Sequence, residues 1–277
     1  MKITAAITTY KRDWETLNRA IESAESQTYP MHEILVVDDN EKGSPYSETI
    51  KENIKNRKNV KYLSQGKNTG VSGARNYAIE NATGDWIAFL DDDDYWLSGK
   101  IEAQSKEAMK HPYAGIVFVY GEIRDKNDHI KGNTWQKQMF MKNPTHLDML
   151  THDYVGSASA PLINLEAIKS VNGFRKMPAV EDYDCWIRIS RRYTVWGIDE
   201  SMYVKNMPEG EHVSRNHKNT FRGYREIYRY NKEKYLHLPN ARRWIAYNIM
   251  REGIKSMQIA VIPYCFMWLE ARLRRKK

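Results

Sequence analysis

Residues 86–96 read "WIAFLDDDDYW": five residues with the character of a buried strand run into four consecutive aspartates, Asp91 to Asp94, and then two aromatics. Four adjacent carboxylates repel one another, so a chain with no use for them would be more stable without them. Working upstream, the same strand-then-acid arrangement recurs. "ITAAI" at 3–7 predicts a short apolar strand, after which Asp13 can cap a helix carrying Trp14, Leu17, Ile21 and Ala24 at helical spacing. "ILVV" at 34–37 predicts a second strand, ending in Asp38 and Asp39. "VKYL" at 60–63 predicts a third, followed by a turn with Gly66 and Gly70 and a helix from about Ser72 to Asn81. Continuous apolar strands alternating with helices predict a parallel sheet covered on both faces, and such sheets bind ligands at the carboxyl ends of their strands. Just past those ends stand Thr8, Thr9 and Tyr10, then Asp38 and Asp39, the "GKNTG" turn at 66–70, and Asp91 to Asp94. Polar groups therefore converge on one edge.

Downstream, "GIVFVY" at 115–120 predicts another strand, and a less regular segment runs to about residue 160. "AVEDYDCWIRISRRY" predicts a helix through Trp186, Ile187 and Ile189 with Glu181 and Asp182 at its start. "TVWGI" and "MYVKN" predict two more short strands, and from Asn219 the pattern is helical, aromatic and basic, with a boundary near Pro239. The 277 residues are 41% hydrophobic, enough for a sizeable core. A net charge of +8 favours polyanionic partners: nucleic acid, anionic lipid headgroups or phosphorylated small molecules. Cys185 and Cys265 lie far apart with no CxxC spacing, which signals neither a disulfide framework nor a zinc site and makes a reducing compartment the expectation. The first apolar run is too short for a secretory leader, and none reaches the roughly 18 residues a spanning helix needs.

A carboxylate-rich loop after a strand suits a hard divalent cation, because Mg²⁺ or Mn²⁺ takes oxygen ligands and keeps waters and substrate phosphates in its shell. "DDDDYWLSGKIE" lacks the alternating ligands and sixth-position glycine of an EF-hand. The plainer alternative is a solvated acidic turn before a helix capped by Ser98.

Over residues 1 to about 215 the chain resembles the inverting glycosyltransferases of family 2, built on the GT-A fold. "ITTYKR" is similar to the family's opening P-T-Y-N-R, and "ILVVDDNEKGS" to its V-V-D-D-G-S. "NTGVSGARNYAIENATGDWIAFLDDDDYW" is similar to its central N-x-G-x-x-x-A-R-N … G-x-[YW]-I-x-F-L-D-x-D-D block, and "VEDYDCWIRIS" to its E-D-x-D-L-W-x-R. Thr8 and Asn40 depart from the family's usual proline and glycine without removing a reacting group. "NARRW" at 240–244 is only an echo of the processive Q-x-x-R-W, which favours one sugar per encounter.

The resemblance implies an α/β GT-A fold, a Rossmann-like mostly parallel sheet flanked by helices with a helical C-terminal extension. Its domains would be 1–218, catalytic, with a nucleotide-sugar half at 1–100 and an acceptor half at 101–218, and 219–277, a basic and aromatic extension. It also implies a nucleotide-diphosphate sugar donor, UDP-linked by first expectation, held by Thr8, Tyr10, Arg12, Asp38 or Asp39, Asn68, Gly70, Arg75, Asp91 and Asp92. Asp91 would lie near the ribose and Asp93 on Mn²⁺ or Mg²⁺, although the register within the four aspartates could slip to Asp92 and Asp94. Asp182 would be the base that deprotonates the acceptor hydroxyl, with Glu181 and Trp186 meeting the acceptor, a saccharide or lipid-linked saccharide. Asp184 would face solvent or Arg188, and His212 would complete the metal shell.

"MQIAVIPYCFMWL" at 257–269 is too short to span a bilayer but suits a helix lying on an anionic membrane surface, or a core helix or homodimer contact. The expected place is the cytoplasm, peripheral on the inner face of the cytoplasmic membrane. Two other classes compete: a sugar nucleotidyltransferase, whose glycine-rich signature is not evident, and a nucleic-acid-binding protein, which the acidic loop argues against; no nucleic acid partner is expected.

Overall fold

The structure is a computed structural model and describes residues 1–125, 127–134, 140–206 and 216–273. In chain order, its first half contains Ile3–Thr9 (β1), Trp14–Glu25 (α1), Glu33–Asp38 (β2), Pro45–Ile54 (α2), Val60–Ser64 (β3), Gly70–Asn81 (α3) and Trp86–Asp91 (β4). Then come Tyr95–Trp96 (β5), Lys100–Lys110 (α4), Ala114–Arg124 (β6), Ile130–Asn133 (β7), His146–Met149 (α5), Leu162–Asn164 (β8), Leu165–Ser170 (α6), Glu181–Ile189 (α7) and Thr194–Asn206 (β9). The sheet order is β3-β2-β1-β4-β8-β6-β9-β5, with β7 hairpinned onto β6. Strands β1 to β4 are mutually parallel, β8 enters antiparallel between β4 and β6, and β9 is again parallel to β6.

The period-two alternation of a strand sends successive residues to opposite faces. Ile3, Ala5 and Ile7 of β1 pack on α1 and α2, through Leu17, Ile21, Ile50 and Ile54. Ala6, with Leu35 and Val37 of β2, joins Ala74, Ala78 and Ile79 of α3 on the other face. Asp13 caps α1 by accepting from the Thr16 amide at 2.8 Å, as its position predicts. α2 is an element the sequence pattern does not announce, since only Ser47, Ile50 and Ile54 of it are buried. The cap of α4 is Gly99 rather than Ser98 and makes no side-chain hydrogen bond.

The two short strands expected at 194–206 are one. Between Gly197, opposite Phe118, and Ser201, opposite Tyr120, β9 advances further than β6, so a bulge absorbs the polar residues that break the sequence pattern.

The C-terminal residues fold as His217–Tyr230 (α8), Lys232–His237 (α9), Pro239–Lys255 (α10), a 3-10 turn at Ile259–Val261 and Ile262–Leu273 (α11). Pro239 opens α10, where its missing N–H costs nothing. Phe221, Ile227, Tyr235, Ile245 and Ile249 belong to the same buried cluster as α3 and α7. Gly223 permits a close approach: a Cβ there would stand 2.4 Å from the Ala179 carbonyl oxygen. This contact presses α8 against the backbone that enters α7, where Val180 takes left-handed angles, φ 56° and ψ 30°. A β-branched residue rarely adopts that conformation, and surrounding packing must hold it.

Candidate functional site

The carboxyl ends of β1, β2 and β4 meet the start of α7 and the end of β9. At β2, Asp38 is sealed: one oxygen accepts from the Asn40 amide (2.9 Å) and side chain (2.6 Å), the other from the Tyr62 hydroxyl (2.6 Å). It is buried and both its oxygens are engaged within the protein, unlike the exposed donor contact expected of it. Asp39 accepts from the Thr69 amide (2.8 Å) and hydroxyl (2.7 Å) and from the Gly70 amide (2.9 Å). Gly70 sits at φ 75°, the left-handed turn that aims its N–H at this carboxylate, and also meets Asn68 Oδ1 at 3.1 Å. Asp39 thus anchors the glycine turn, and a nucleobase reaching it would share an oxygen already in use. Asn40, in the place of the family's glycine, also accepts from the Lys11 amide at 3.0 Å, tying the β1 loop to the β2 loop. Tyr10 is exposed beside them.

The four aspartates separate into two kinds. Asp92 and Asp94 are buried, while Asp91 and Asp93 are half-buried. Asp92 accepts from Thr9 Oγ1 at 2.7 Å and Arg12 Nε at 3.0 Å; Arg12 Nη2 reaches Asp93 at 3.1 Å. Asp94 accepts from Ser159 Oγ at 2.7 Å and the Asn206 amide at 3.3 Å. Burial pushes the Asp94 carboxyl well up, and the charge of Asp91 adds to it. Asp92 also lies above its usual value through burial, although Arg12 opposes the shift. For Asp91 burial is outweighed by Arg75 and Lys205, and the carboxyl stays low. Thr8 lies opposite Asp91 in the β1–β4 register. The less buried pair is accordingly Asp91 with Asp93, and Asp92 with Asp94 is the more buried one.

Arg75 joins this edge to α7. Its Nη2 donates to Asp91 Oδ1 and its Nη1 to Glu181 Oε1, both at 2.8 Å, and its side chain is almost wholly buried. Burial would lower the guanidinium pKa, but Asp91, Glu181 and Asp182 outweigh it and raise it. The Nε atom is buried without a partner among the described residues. This bridge is buried rather than at the surface. Glu181 correspondingly faces Arg75 rather than an acceptor.

Asp182 follows at the second position of α7, half-buried by surface but densely surrounded. That desolvation, with the nearby charges of Glu181 and Asp153, pushes its carboxyl up to about 8 against the pull of Arg75. Trp186, expected at the acceptor, is fully enclosed and donates from Nε1 to the Gly156 carbonyl at 3.0 Å. It holds the 153–159 loop in place and has no face to offer a sugar. Asp184 is buried, not solvent-facing, and meets Arg188 at 2.7 Å and Arg175 at 3.1 Å. His212, with Ser214 and Arg215, lies outside the described residues.

Among the described residues no three His, Cys, Asp or Glu side chains converge as a metal cage. Two half-buried carboxylates, Asp91 and Asp93, suit Mg²⁺ or Mn²⁺ all the same, since these ions draw much of their shell from water and substrate phosphates. Sequence reasoning passes over Ser157, Ser159, Asp153 and Lys205 at this site. Their segments carry no motif, and only the fold brings them to the aspartates.

Residues 4–162 match the family described as Glycosyl transferase family 2, more than half of the chain. The chain belongs to glycosyltransferase family 2. An uncharacterized glycosyltransferase of Methanocaldococcus jannaschii is 25% identical over 244 residues, covering 87% of this chain and 83% of that one. The UDP-Glc:alpha-D-GlcNAc-diphosphoundecaprenol beta-1,3-glucosyltransferase of Escherichia coli is 33% identical over 114 residues, 41% of this chain and 43% of that enzyme. This match therefore spans less than half of the relative's length. In fold, this family 2 chain is similar to TarS of S. aureus in complex with UDP-GlcNAc, with a TM-score of 0.68 at 18% identity over 98% of this chain and 79% of that one. It is also similar to a mannosyltransferase of Pyrobaculum calidifontis in complex with GDP-Man and Mn²⁺, with a TM-score of 0.62 at 16% identity over 100% and 81%. The GT-A architecture expected of family 2 is thus the observed one.

Arg75→Met should strand two carboxylates in a largely buried position and lower stability by about 3 kcal/mol in urea unfolding. Adding Glu181→Gln to that variant should restore part of the loss. If both proteins unfold with wild-type midpoints, the bridge does not hold the site together.

Proposed function

We propose that this family 2 glycosyltransferase moves a single sugar, with inversion, from a UDP-sugar to a saccharide or lipid-linked saccharide acceptor in polysaccharide or glycolipid assembly. The observation that carries this reading is the placement of Asp182, a carboxylate of raised proton affinity, next to Glu181, which Arg75 ties to Asp91 at the aspartate cluster. The E. coli relative named for UDP-Glc and a diphosphoundecaprenol-linked sugar, and the complex of TarS with UDP-GlcNAc, support the choice of donor and acceptor classes. Residues 1–218 would form the catalytic domain, with the donor on 1–100 and the acceptor on 101–218, and 219–277 the extension. Family membership displaces the nucleotidyltransferase and nucleic-acid-binding alternatives.

In this reading Tyr10, Thr8, Arg12 and Asp39 receive the nucleoside, with the Asn68–Gly70 turn beside it. Asp91 takes the ribose side. Asp93, with Asp91 adjacent and His212 as a further ligand, would hold Mn²⁺ or Mg²⁺. When bound, such an ion stabilises the negative charge that develops on the departing diphosphate. Asp182 removes the proton from the acceptor hydroxyl as its oxygen attacks the anomeric carbon from the face opposite the leaving group. Glu181 acts at one remove, by fixing Arg75.

The C-terminal helices supply a reason for a lipid-linked acceptor. Ile262, Phe266 and Leu269 share one face of α11 and are exposed, while Met267 and Ala271 face the core. Ile254, Met257 and Ile259 continue the exposed apolar surface. Residues 240–277 hold nine Lys and Arg against only two Glu, so nearly all of the chain's positive excess sits here. Glu252 is bound by His217 and Arg251, and Glu270 by Arg242. An exposed apolar face on a segment this rich in Lys and Arg fits an anionic membrane surface, at about 1 kcal/mol per basic residue near the headgroups. No helix among the described residues is long and apolar enough to cross the membrane. The protein would then act at the inner face of the cytoplasmic membrane.

Three outcomes check this. With Mn²⁺ present, one of UDP-, GDP- and dTDP-sugars, UDP by our reading, should bind in calorimetry; Asp93→Ala should lose that binding, and Asp182→Asn should keep it while losing turnover. Retained turnover in Asp182→Asn would remove the base from this position.

Because a raised pKa leaves Asp182 protonated and inactive at lower pH, kcat/KM should climb with pH through a limb near 8, an apparent value shared with its carboxylate neighbours. Glu181→Gln removes a like charge and should move the limb to lower pH; a flat profile would contradict the assignment.

The protein should co-sediment with phosphatidylcholine vesicles containing phosphatidylglycerol and not with phosphatidylcholine alone, and Phe266→Glu should weaken this at least tenfold. A dimer in solution that Phe266→Glu dissociates, without vesicle binding, would instead assign the face to a second copy.

A further inference from the structure

Lys205 belongs to none of the family motifs and reaches the aspartates from the far side of the sheet. It is the second-last residue of β9, paired with Ile123 of β6, and the next backbone N–H, that of Asn206, donates to Asp94 at 3.3 Å. This register brings the lysine to the same edge as β4. Its ammonium is half-buried and feels the carboxylates of Asp94, Asp91, Asp182 and Asp93 together, which outweigh burial and keep it charged.

Among the described residues, Arg75 and Arg12 are the guanidinium groups paired with the aspartate side chains of this cluster. Arg75 spends both terminal nitrogens on Asp91 and Glu181, and Arg12 spends its own on Asp92 and Asp93. Arg12 pairs with Asp92 and Asp93, and Arg75 with Asp91. Lys205 is held near by the charges of four aspartates, and among the described residues it forms no direct ion pair with any one of them. An ammonium has three donors and behaves as a compact point charge, which suits an anion whose charge is spread over several oxygens.

We propose that Lys205 donates to the diphosphate of the nucleotide-sugar donor and is a binding group for the leaving group. This deepens the donor reading above and rests on it. As the bond from the anomeric carbon to the diphosphate oxygen breaks, its electron pair stays on that oxygen. The acceptor oxygen forms the new bond and its proton passes to Asp182. Lys205 keeps its own proton throughout and compensates the charge arriving on the phosphate.

The consequence is affinity for a diphosphate that survives removal of divalent cations. Calorimetry in EDTA with UDP, GDP and dTDP, each beside its nucleoside, tests this on the wild type and on Lys205→Met, Lys205→Gln and Lys205→Arg. A charge-assisted hydrogen bond lost from a phosphate should weaken diphosphate binding about tenfold or more in the Met and Gln variants. Nucleoside affinity should be unchanged, and the Arg variant should retain most of the diphosphate affinity. The Gln variant, which keeps length and polarity, decides the matter if the Met variant misfolds. Wild-type diphosphate affinity in a folded Gln variant overturns the role of Lys205 while leaving the donor reading intact. Failure of the wild type to bind any diphosphate, even with Mn²⁺, overturns the donor reading and this inference with it.

Discussion

The structure depends on the way one guanidinium resolves a conflict of charge. Asp91 ends β4, Glu181 begins α7, and 89 residues of intervening chain must bring two carboxylates to one place. Like charges so close would repel the two halves of the protein apart. Arg75 lies between them at 2.8 Å from each, on a helix whose other side is buried in the main core. A guanidinium suits this task because its planar fork reaches two acceptors from one buried stem and cannot be neutralised by deprotonation. Its ring contact with Phe174, 5.3 Å away, leaves the fork little freedom to turn.

The remaining acids follow from that arrangement. Aspartates at alternate positions point in different directions, so Asp92 and Asp94 turn toward Thr9, Arg12, Ser159 and Asn206 while Asp91 and Asp93 are less deeply buried. Burial raises the proton affinity of Asp92 and Asp94, whereas Arg75 and Lys205 lower that of Asp91. The four aspartates are therefore not equivalent metal ligands in a row. Two of them fasten the loop to its neighbours, and this leaves the other two in defined places.

The α/β half was legible because its strands are continuously apolar and each ends in a polar residue at the same edge. Asp91, Arg75 and Asp182 could be singled out for the same reason, since each stands in a motif at a strand end or helix start. Asp38 could not be told from Asp39 in the sequence, because adjacent residues on a strand end differ only in which face they take, and the Tyr62 hydroxyl that seals Asp38 comes from a different strand. Trp186 looked like a platform for sugar and proved to be core, because helical spacing does not show which side the loop at Gly156 covers. Lys205 left no trace in the pattern. Its position is set by a bulge in β9, and the register shift that creates it depends on β6, some eighty residues earlier.

The C-terminal extension is more than an appended tail, and the argument turns on Val180. A β-branched residue in the left-handed region costs on the order of 1–3 kcal/mol, and it stands immediately before Glu181 and Asp182. Such a backbone persists only if neighbouring structure over-determines it. α8 provides that neighbour through the bare Cα of Gly223, set against the Ala179 carbonyl and the Val180 side chain. α10 packs on α8 from behind, sharing the cluster of Phe221, Ile245 and Ile249, and α11 adds Met267 to the same core. The helices whose outer faces carry exposed apolar residues are thus the ones whose inner faces hold α7 at its entry angle. A force or displacement at the outer surface would be carried by close-packed side chains to the backbone that aims Asp182, because packed interiors deform little. This couples the place where a lipid-linked acceptor would be met to the geometry of the residue that would deprotonate it.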